Sequence, residues 1–442
     1  MPAIRNPIDG DPSPRLAGVC VPSTDVVLAH ALPRLSRRSL LGALGTVSAV
    51  LGWAAAVGVA GRPAIAAAAD LDDGRSSSGP VPQSLRPYAE FVSQQAARDQ
   101  FSGTVLLAHR GRPVLVRSFG MADKSRSLPN RVNTIFALAS LGKVFAGIAA
   151  CQLAARGLID FSATLGAYLD GFPTEIADMV TVHQMLVHTS GMGNYQSSRV
   201  WQQQARTWST PAQEFEDTMA AIRQSPLLFT PGSRYSYSNS GYYTVGAIAA
   251  QVAGQPFGDY VRANVFGPAH MTSTNYYTTA QKLANPDIAH AYGPVQADGS
   301  RPDLTTAAGG IVDTGGGGGS GGGSASALDL LALARTLQAN RLMDAAYTQV
   351  ASSGKYPLTA SDLSDQPRRS VMSGYGFEQR IVNGHRIFGH GGAAPVPGGI
   401  ATDLSIYPDL DWVSVLLSNY YIDTIPYLEL ADQLLTQKDA GR

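Results

Sequence analysis

Cysteine is nearly absent. The 442-residue chain has two, Cys20 and Cys151, so no disulfide framework can staple it, and no Cys/His spacing of the metal-site kind is visible. Charge of one sign is absent as well. Lys+Arg and Asp+Glu both number 33, giving a formal net charge of +0, and no long run of either sign appears. That excludes the electrostatic footprint of a nucleic-acid binder and gives no electrostatic reason to dock on a membrane surface. Charged residues make up only 15% of the chain and hydrophobic ones 44%, enough to bury a sizeable core as one large domain or two intimate lobes. Cys151, inside an apolar run, reads as a small core residue.

What is present begins with an address. Residues 1–35 are rich in Pro and Ala without a clear period. Ser36-Arg37-Arg38-Ser39-Leu40-Leu41 then leads into an apolar run to about Ala60, followed by Ala64-Ile65-Ala66 and Ala67-Ala68-Ala69. Paired arginines, an apolar stretch and an Ala-x-Ala site resemble a twin-arginine export signal. The expectation is a signal over residues 1–69 with a long leading region, a Gly/Ser/Pro linker over 70–83 and one mature domain over 84–437, exported to the periplasm or the extracellular space. The apolar run is also long enough to span a bilayer, so an uncleaved anchor stays open as the one route to a membrane.

In the mature region, an amphipathic helix is expected over about Ser84–Asp99, then a hairpin of Gly103–His109 and Pro113–Ser118 joined through Arg110-Gly111-Arg112. Residues of about 155–310 read as mostly helical. Thr181-Val182-His183-Gln184 fits a capping box, and Asn239–Gly254 and Pro256–Phe266 read as two more helices. Glycines fill 315–319 and 321–323, a tract with no core-forming capacity, expected to be a flexible loop. Asp329–Leu342 is again helical. Strands return at Tyr375–Val382, at His385–Phe388 after the hairpin turn Asn383-Gly384, and at Ile400–Tyr407 and Trp412–Leu417. A helix over Ile425–Gln437 closes the chain. The fold class expected is α+β: an antiparallel sheet flanked by N- and C-terminal helices, with an inserted helical lobe.

One stretch organises this order. Ser140 to Arg156 has a Ser at its start, no Pro inside and Gly157 just past its end, and reads as one buried helix. Positions three apart on a helix share a face, so Ser140 and Lys143 can bring their tips together. A serine hydroxyl becomes a nucleophile once a neighbouring base takes its proton, and an uncharged lysine can be that base. The helix start adds a positive field and N–H groups for an oxyanion. Chance supplies about 0.4 Ser-x-x-Lys matches in a chain of this composition. A second one, Ser352-Ser353-Gly354-Lys355, runs into Pro357 and reads as a loop decoy. Ser320 formally centres a Gly-x-Ser-x-Gly, but polyglycine offers no strand to lead into a nucleophile elbow.

Two later motifs decide. Tyr237-Ser238-Asn239 sits in an aromatic approach to a helix, where a tyrosine beside a lysine can share its proton and later protonate a leaving group. Gly389-His390-Gly391-Gly392-Ala393 follows the Asn383-Gly384 turn, where glycines let backbone approach a ligand and His390 can orient a substrate group. Ser-x-x-Lys, Tyr-x-Asn and His-x-Gly in this order resemble the serine β-lactamase and penicillin-binding protein superfamily. The closest look is to class C β-lactamase-like proteins, D-Ala-D-Ala carboxypeptidases, D-aminopeptidases and β-lactamase-like esterases. Leu186-Val187-His188-Thr189-Ser190-Gly191-Met192 and Thr230-Pro231-Gly232 look like that group too, and the resemblance spans about residues 85–437.

The resemblance implies Ser140 as acylated nucleophile, Lys143 as proton acceptor and Tyr237 as acid/base partner. It implies Asn239 as orienter of substrate and lysine, His390 as the third-motif side chain, and the Ser140 and Ala393 N–H groups as the oxyanion hole, with Gly392 beside them. Tyr195, with Asn194, is expected at the pocket mouth, and His188 and Ser190 are expected to stabilise a turn. No metal and no cofactor are implied, and the partner is a small-molecule or peptide substrate met by a monomer. Two departures stand out. No Glu-x-x-x-Asn lies between the first and second motifs, and His390 stands where true β-lactamases usually carry Lys. A mostly neutral imidazole attracts a substrate carboxylate less than a permanent cation does, so ester or D-peptide hydrolysis with weak β-lactam turnover is expected. The rivals are a true class C-like β-lactamase, a non-catalytic penicillin-binding-like module for cell-wall peptides, and an α/β-hydrolase using Ser320.

Overall fold

Gly103–His109 and Trp412–Ser418 read as unbroken apolar runs because both of their faces are buried. Val105, Leu107, Trp412 and Leu416 enter one core, while Leu106, Ala108, Val413, Val415 and Leu417 enter another. Side chains of a strand alternate between its faces, so the two cores lie on opposite sides of one sheet. The computed structural model describes residues 81–306, 310–359, 372–394 and 398–437. The expected export signal and most of the linker lie outside the described residues.

Eight strands build the sheet: β1 (Gly103–His109), β2 (Arg112–Phe119), β3 (Tyr356–Pro357), β4 (Met372–Ser373), β5 (Glu378–Val382), β6 (His385–Ala394), β7 (Ile400–Tyr407) and β8 (Trp412–Ser418). They lie in the order β2-β1-β8-β7-β6-β5-β4-β3, with every neighbouring pair antiparallel. Both expected hairpins form. Their turns place Arg110 (φ 52) and Gly111 (φ 71), and Asn383 (φ 51) and Gly384 (φ 81), in the left-handed region that two-residue hairpin turns need.

The helices that frame the sheet and the site are α1 (Arg86–Ala97), α2 (Lys143–Ala155), α3 (Pro211–Arg223), α4 (Asn239–Ala253), α5 (Ala327–Gln338) and α6 (Ile425–Leu435). The N-terminal α1 and C-terminal α6 cover one face, where Tyr88, Val92, Tyr427 and Leu435 meet Val105 and Leu416. Helices α2, α4 and α5 belong to the core on the other face. Between residues 156 and 306, apart from single bridges, the described elements are helices and tight turns. The fold is α+β, an antiparallel sheet with flanking terminal helices and a helical lobe, as the sequence suggested. Among the described residues no helix is long and apolar enough to cross a membrane.

Several boundaries differ from the sequence reading, each for a local reason. The strand expected from Tyr375 begins at Glu378, because Gly374 N–H closes a turn on the Phe377 carbonyl and Gly376 takes φ +77. Strand β6 continues past Phe388 to Ala394, because β7 pairs with it residue by residue from Ile406 back to Ile400. The helix expected over Pro256–Phe266 divides into an α segment, Phe257–Val261, and a π-helical turn, Arg262–Phe266. The Thr181 capping box forms as read, with Gln184 as its partner.

Candidate active site

The expected single helix from Ser140 to Arg156 is two elements. A 3₁₀ turn over Ala139–Gly142 carries Ser140, and α2 starts at Lys143. Ala139 adopts φ +48, a left-handed conformation that costs a non-glycine residue about 1–2 kcal/mol. The surroundings hold it there. Phe136–Ala137 pairs with Ser324–Ala325, Leu138 N–H donates to the Gly323 carbonyl at 3.0 Å, and the Ala139 carbonyl accepts from Gly322 N–H at 2.9 Å. The turn then tightens through Leu141 N–H on Leu138 C=O at 3.2 Å.

Lys143 opens a helix whose residues are buried from Lys143 through Ala154. Its Nζ lies 3.3 Å from Ser140 Oγ and 2.7 Å from Asn239 Oδ1, and also donates to the Ser320 carbonyl. The first turn of α2 therefore brings serine and lysine together, although the serine is outside the α-helix proper. Cys151, further along α2, is a buried free thiol that burial pushes up to about 12.

Asn239 is the first residue of α4. The helix cap is Ser238, whose Oγ accepts from Gly241 N–H at 2.8 Å, which leaves the Asn239 side chain available to the site. Its Oδ1 meets Lys143 while its Nδ2 donates to Gln196 Oε1 at 3.0 Å. Tyr237 lies two residues earlier, and its ring centre is 4.7 Å from Lys143 Nζ.

On β6, His390 is buried and its Nδ1 hydrogen-bonds the Gly391 carbonyl. A carbonyl only accepts, so Nδ1 carries the hydrogen and a neutral ring presents Nε2 as an acceptor. Strand β5 ends opposite Gly389, so beyond that point no strand covers this edge of β6 among the described residues. Gly392 presses the strand on the Ser140 turn. A Cβ there would sit 2.1 Å from the Leu138 carbonyl and 2.9 Å from Leu141 N, so a side chain is excluded by backbone. Thr402 on β7 fastens the same contact, donating to the Leu138 carbonyl at 3.0 Å. Ala393 follows, paired with Ala401.

The glycine tract is where the sequence reading is corrected. Expected as a flexible loop with no core-forming capacity, it is a wall of the site. Gly318 passes so close to Tyr243 that a Cβ would lie 2.1 Å from the ring, and at Gly321 one would lie 2.7 Å from the Ala139 carbonyl. Glycine is what allows the chain to thread between α4 and the Ser140 turn. The threading delivers Ser320, whose carbonyl accepts from Lys143 Nζ and whose Oγ lies 2.8 Å from the Tyr195 hydroxyl. Tyr195 is buried, and burial raises its phenol well above the usual range.

A cavity of about 1400 Å³ joins these groups. Ser140, Tyr237, Asn239, His390, Gly392, Ala393, Asn194 and Tyr195 all line it, as do Ser320 and Gln196; Lys143 reaches Ser140 from behind the wall. Glu214, also in its lining, accepts from Thr314 Oγ1, and burial raises that carboxyl. The decoy motif does not assemble: Ser352 Oγ donates to the Thr348 carbonyl, and Lys355 Nζ donates to the Val350 and Ser353 carbonyls. All nine residues expected at the site, Asn194 included, therefore surround one cavity or, for Lys143, touch its nucleophile. Sequence reasoning missed Gln196, and it weighed Ser320 only as the centre of a formal Gly-x-Ser-x-Gly, not as a neighbour of Lys143 and Tyr195.

Comparison with known proteins places this geometry. A family model described as Beta-lactamase matches residues 89–424. The chain is similar to penicillin-binding protein 4* of Bacillus subtilis, 30% identical over 202 residues, which is 45% of this chain and 43% of that protein. It is also similar to esterase EstB of Burkholderia gladioli, 29% identical over 204 residues, covering 44% of this chain and 52% of that protein. The chain thus spans about half the length of the curated relatives it matches. Among solved structures, the penicillin binding protein from Bacillus halodurans superposes with a TM-score of 0.64 at 26% identity, over 77% of this chain and 98% of that one.

Proposed function

Since the chain belongs to the beta-lactamase family, we propose that it is a serine acyl hydrolase that works through an acyl-enzyme on Ser140 and prefers ester or D-amino-acid peptide substrates. The observation that carries this reading is the set of neighbours of Lys143 Nζ. Asn239 Oδ1 and the Ser320 carbonyl only accept hydrogen bonds. An uncharged amine has two N–H bonds, which those two acceptors take. Ser140 Oγ, 3.3 Å away, is the one of these three neighbours with a hydrogen to give, and the lone pair of the uncharged amine can take it.

As Ser140 Oγ bonds to the acyl carbon, its proton passes to Lys143 Nζ, and the carbonyl electron pair moves onto oxygen. That oxyanion is met by the Ser140 and Ala393 N–H groups, which Gly392 allows to stand close together. As the oxyanion collapses and the bond to the leaving group breaks, Tyr237 hands a proton to the departing alcohol or amine and takes one back from Lys143 Nζ, and the acyl group stays on Ser140 Oγ. Water then attacks the ester and gives up a proton to Lys143 Nζ, and as the acyl–Oγ bond breaks that proton returns to Ser140 Oγ. Asn239 holds the amine in line, through Gln196 in turn.

His390 supports the substrate preference. A ring whose Nδ1 is committed to the Gly391 carbonyl is not the permanent cation that a lysine would offer to the carboxylate of a β-lactam. The expected result is a kcat/KM for a short-chain p-nitrophenyl ester exceeding that for nitrocefin by about two orders of magnitude or more, a difference of about 2.7 kcal/mol in transition-state binding. Nitrocefin turnover equal to ester turnover contradicts the preference, and absence of turnover on every substrate favours the non-catalytic module. Export through Arg37-Arg38 belongs to the same proposal. The mass of the protein recovered outside the cytoplasm checks it, and a mass that retains Arg37-Arg38 contradicts cleavage.

A further inference from the structure

We propose that His188 is a positioning residue for Tyr237, acting through a ring contact and two hydrogen bonds that bracket the tyrosine. The inference rests on the acyl-enzyme reading above and extends it to a side chain expected only to stabilise a turn. His188 is 3% exposed and adopts φ +62 just after the helix Val182–Leu186. Its carbonyl accepts from Ser236 N–H at 2.8 Å, and its Nδ1 accepts from Ser238 N–H at 3.0 Å. Ser236 and Ser238 are the two chain neighbours of Tyr237, so one residue grips the backbone on both sides of the tyrosine. The imidazole also stacks on the Tyr237 ring, with centres 4.3 Å apart and planes inclined by 29°.

A turn-stabilising histidine needs only one of these contacts. Here all three converge on the residue whose ring lies 4.7 Å from Lys143 Nζ. Because Nδ1 accepts a backbone N–H, it carries no hydrogen, and the ring in this arrangement is the neutral Nε2–H tautomer. A neutral ring adds no second cation beside Lys143, which must lose its proton to serve Ser140. Tyr242 packs on the same imidazole at 4.8 Å and Tyr235 at 5.7 Å, leaving the stack little lateral room. The phenol of Tyr237 is thereby held in one place while Ser140, Lys143 and the leaving group exchange a proton. A displacement of about 1 Å at such a step can cost about 10²-fold in rate.

Two substitutions separate the parts. His188→Asn keeps an acceptor near the Nδ1 position and tolerates a positive φ but loses the ring; His188→Phe keeps the ring and loses the acceptor. With concentrations fixed by phosphonate titration of Ser140, each variant is expected to lower kcat for a p-nitrophenyl ester by about 10- to 10²-fold with KM changed less than about 3-fold. In a Tyr237→Phe background, the same substitutions are expected to change the acylation rate by less than about 2-fold, because the group they position is gone. A full, additive loss in that background overturns the inference, as does a wild-type kcat in both single variants. Neither outcome touches the hydrolase reading, which fails instead if the unmodified protein forms no Ser140 adduct at all.

Discussion

Lys143→Met is expected to lower kcat/KM for an activated ester by about 10²- to 10⁴-fold, the range for losing a positioned general base, while the protein stays folded. Methionine matches the length and most of the volume of lysine and suits a site with 0% exposure. The substitution strands two acceptors, Asn239 Oδ1 and the Ser320 carbonyl, at about 1–3 kcal/mol each. Against that, it removes the cost of holding a polar amine out of water and fills the same space with an apolar side chain. The two effects oppose each other, so thermal unfolding should move little while activity collapses. Paired measurement of kcat/KM and unfolding temperature checks this. Activity within ten-fold of wild type would mean that Ser140 is deprotonated by something else.

Gly392→Ala is expected to damage the site with almost no change in chemical character. Its Cβ would be placed 2.1 Å from the Leu138 carbonyl, 2.5 Å from Thr402 Oγ1 and 2.9 Å from Leu141 N. Two of those three atoms are backbone of the segment that carries Ser140, so relief requires β6 and the 3₁₀ turn to part. Overpacking of this kind costs about 1–3 kcal/mol, and separating Ser140 N–H from Ala393 N–H should cost about 10²-fold in kcat/KM. Gly391→Ala is the control, since its nearest neighbours would be the Thr402 carbonyl at 3.5 Å and Asp403 Oδ2 at 3.8 Å, an ordinary contact. Ester kinetics on the two variants decide the matter. Equal activity would show that the approach of β6 to the turn is not what builds the site.

The sheet was legible in the sequence where period and turn chemistry agree, as in the two hairpins closed by Arg110-Gly111 and Asn383-Gly384. Ser140, Lys143, Tyr237, Asn239 and His390 were legible through three short motifs in a fixed order and the family resemblance that order carries, since each motif alone is weak. The split of the first helix was not legible. It depends on Ala139 being held at φ +48 by residues of the glycine tract some 180 positions later, and no local propensity encodes a distant partner. The tract itself was misread for a related reason. Glycine spells freedom when read alone, yet Gly318 and Gly321 are there because Tyr243 and Ala139 leave no room for a Cβ. His188 was seen as a motif residue, but its stack on Tyr237 joins segments 49 positions apart.

The measurement that bears most directly on the central claim is peptide-resolved mass spectrometry of the protein trapped during ester turnover. The account predicts one acyl adduct, on the peptide containing Ser140, that decays as product accumulates and is missing from Ser140→Ala. An adduct that survives in Ser140→Ala, above all one on the peptide containing Ser320, would contradict it.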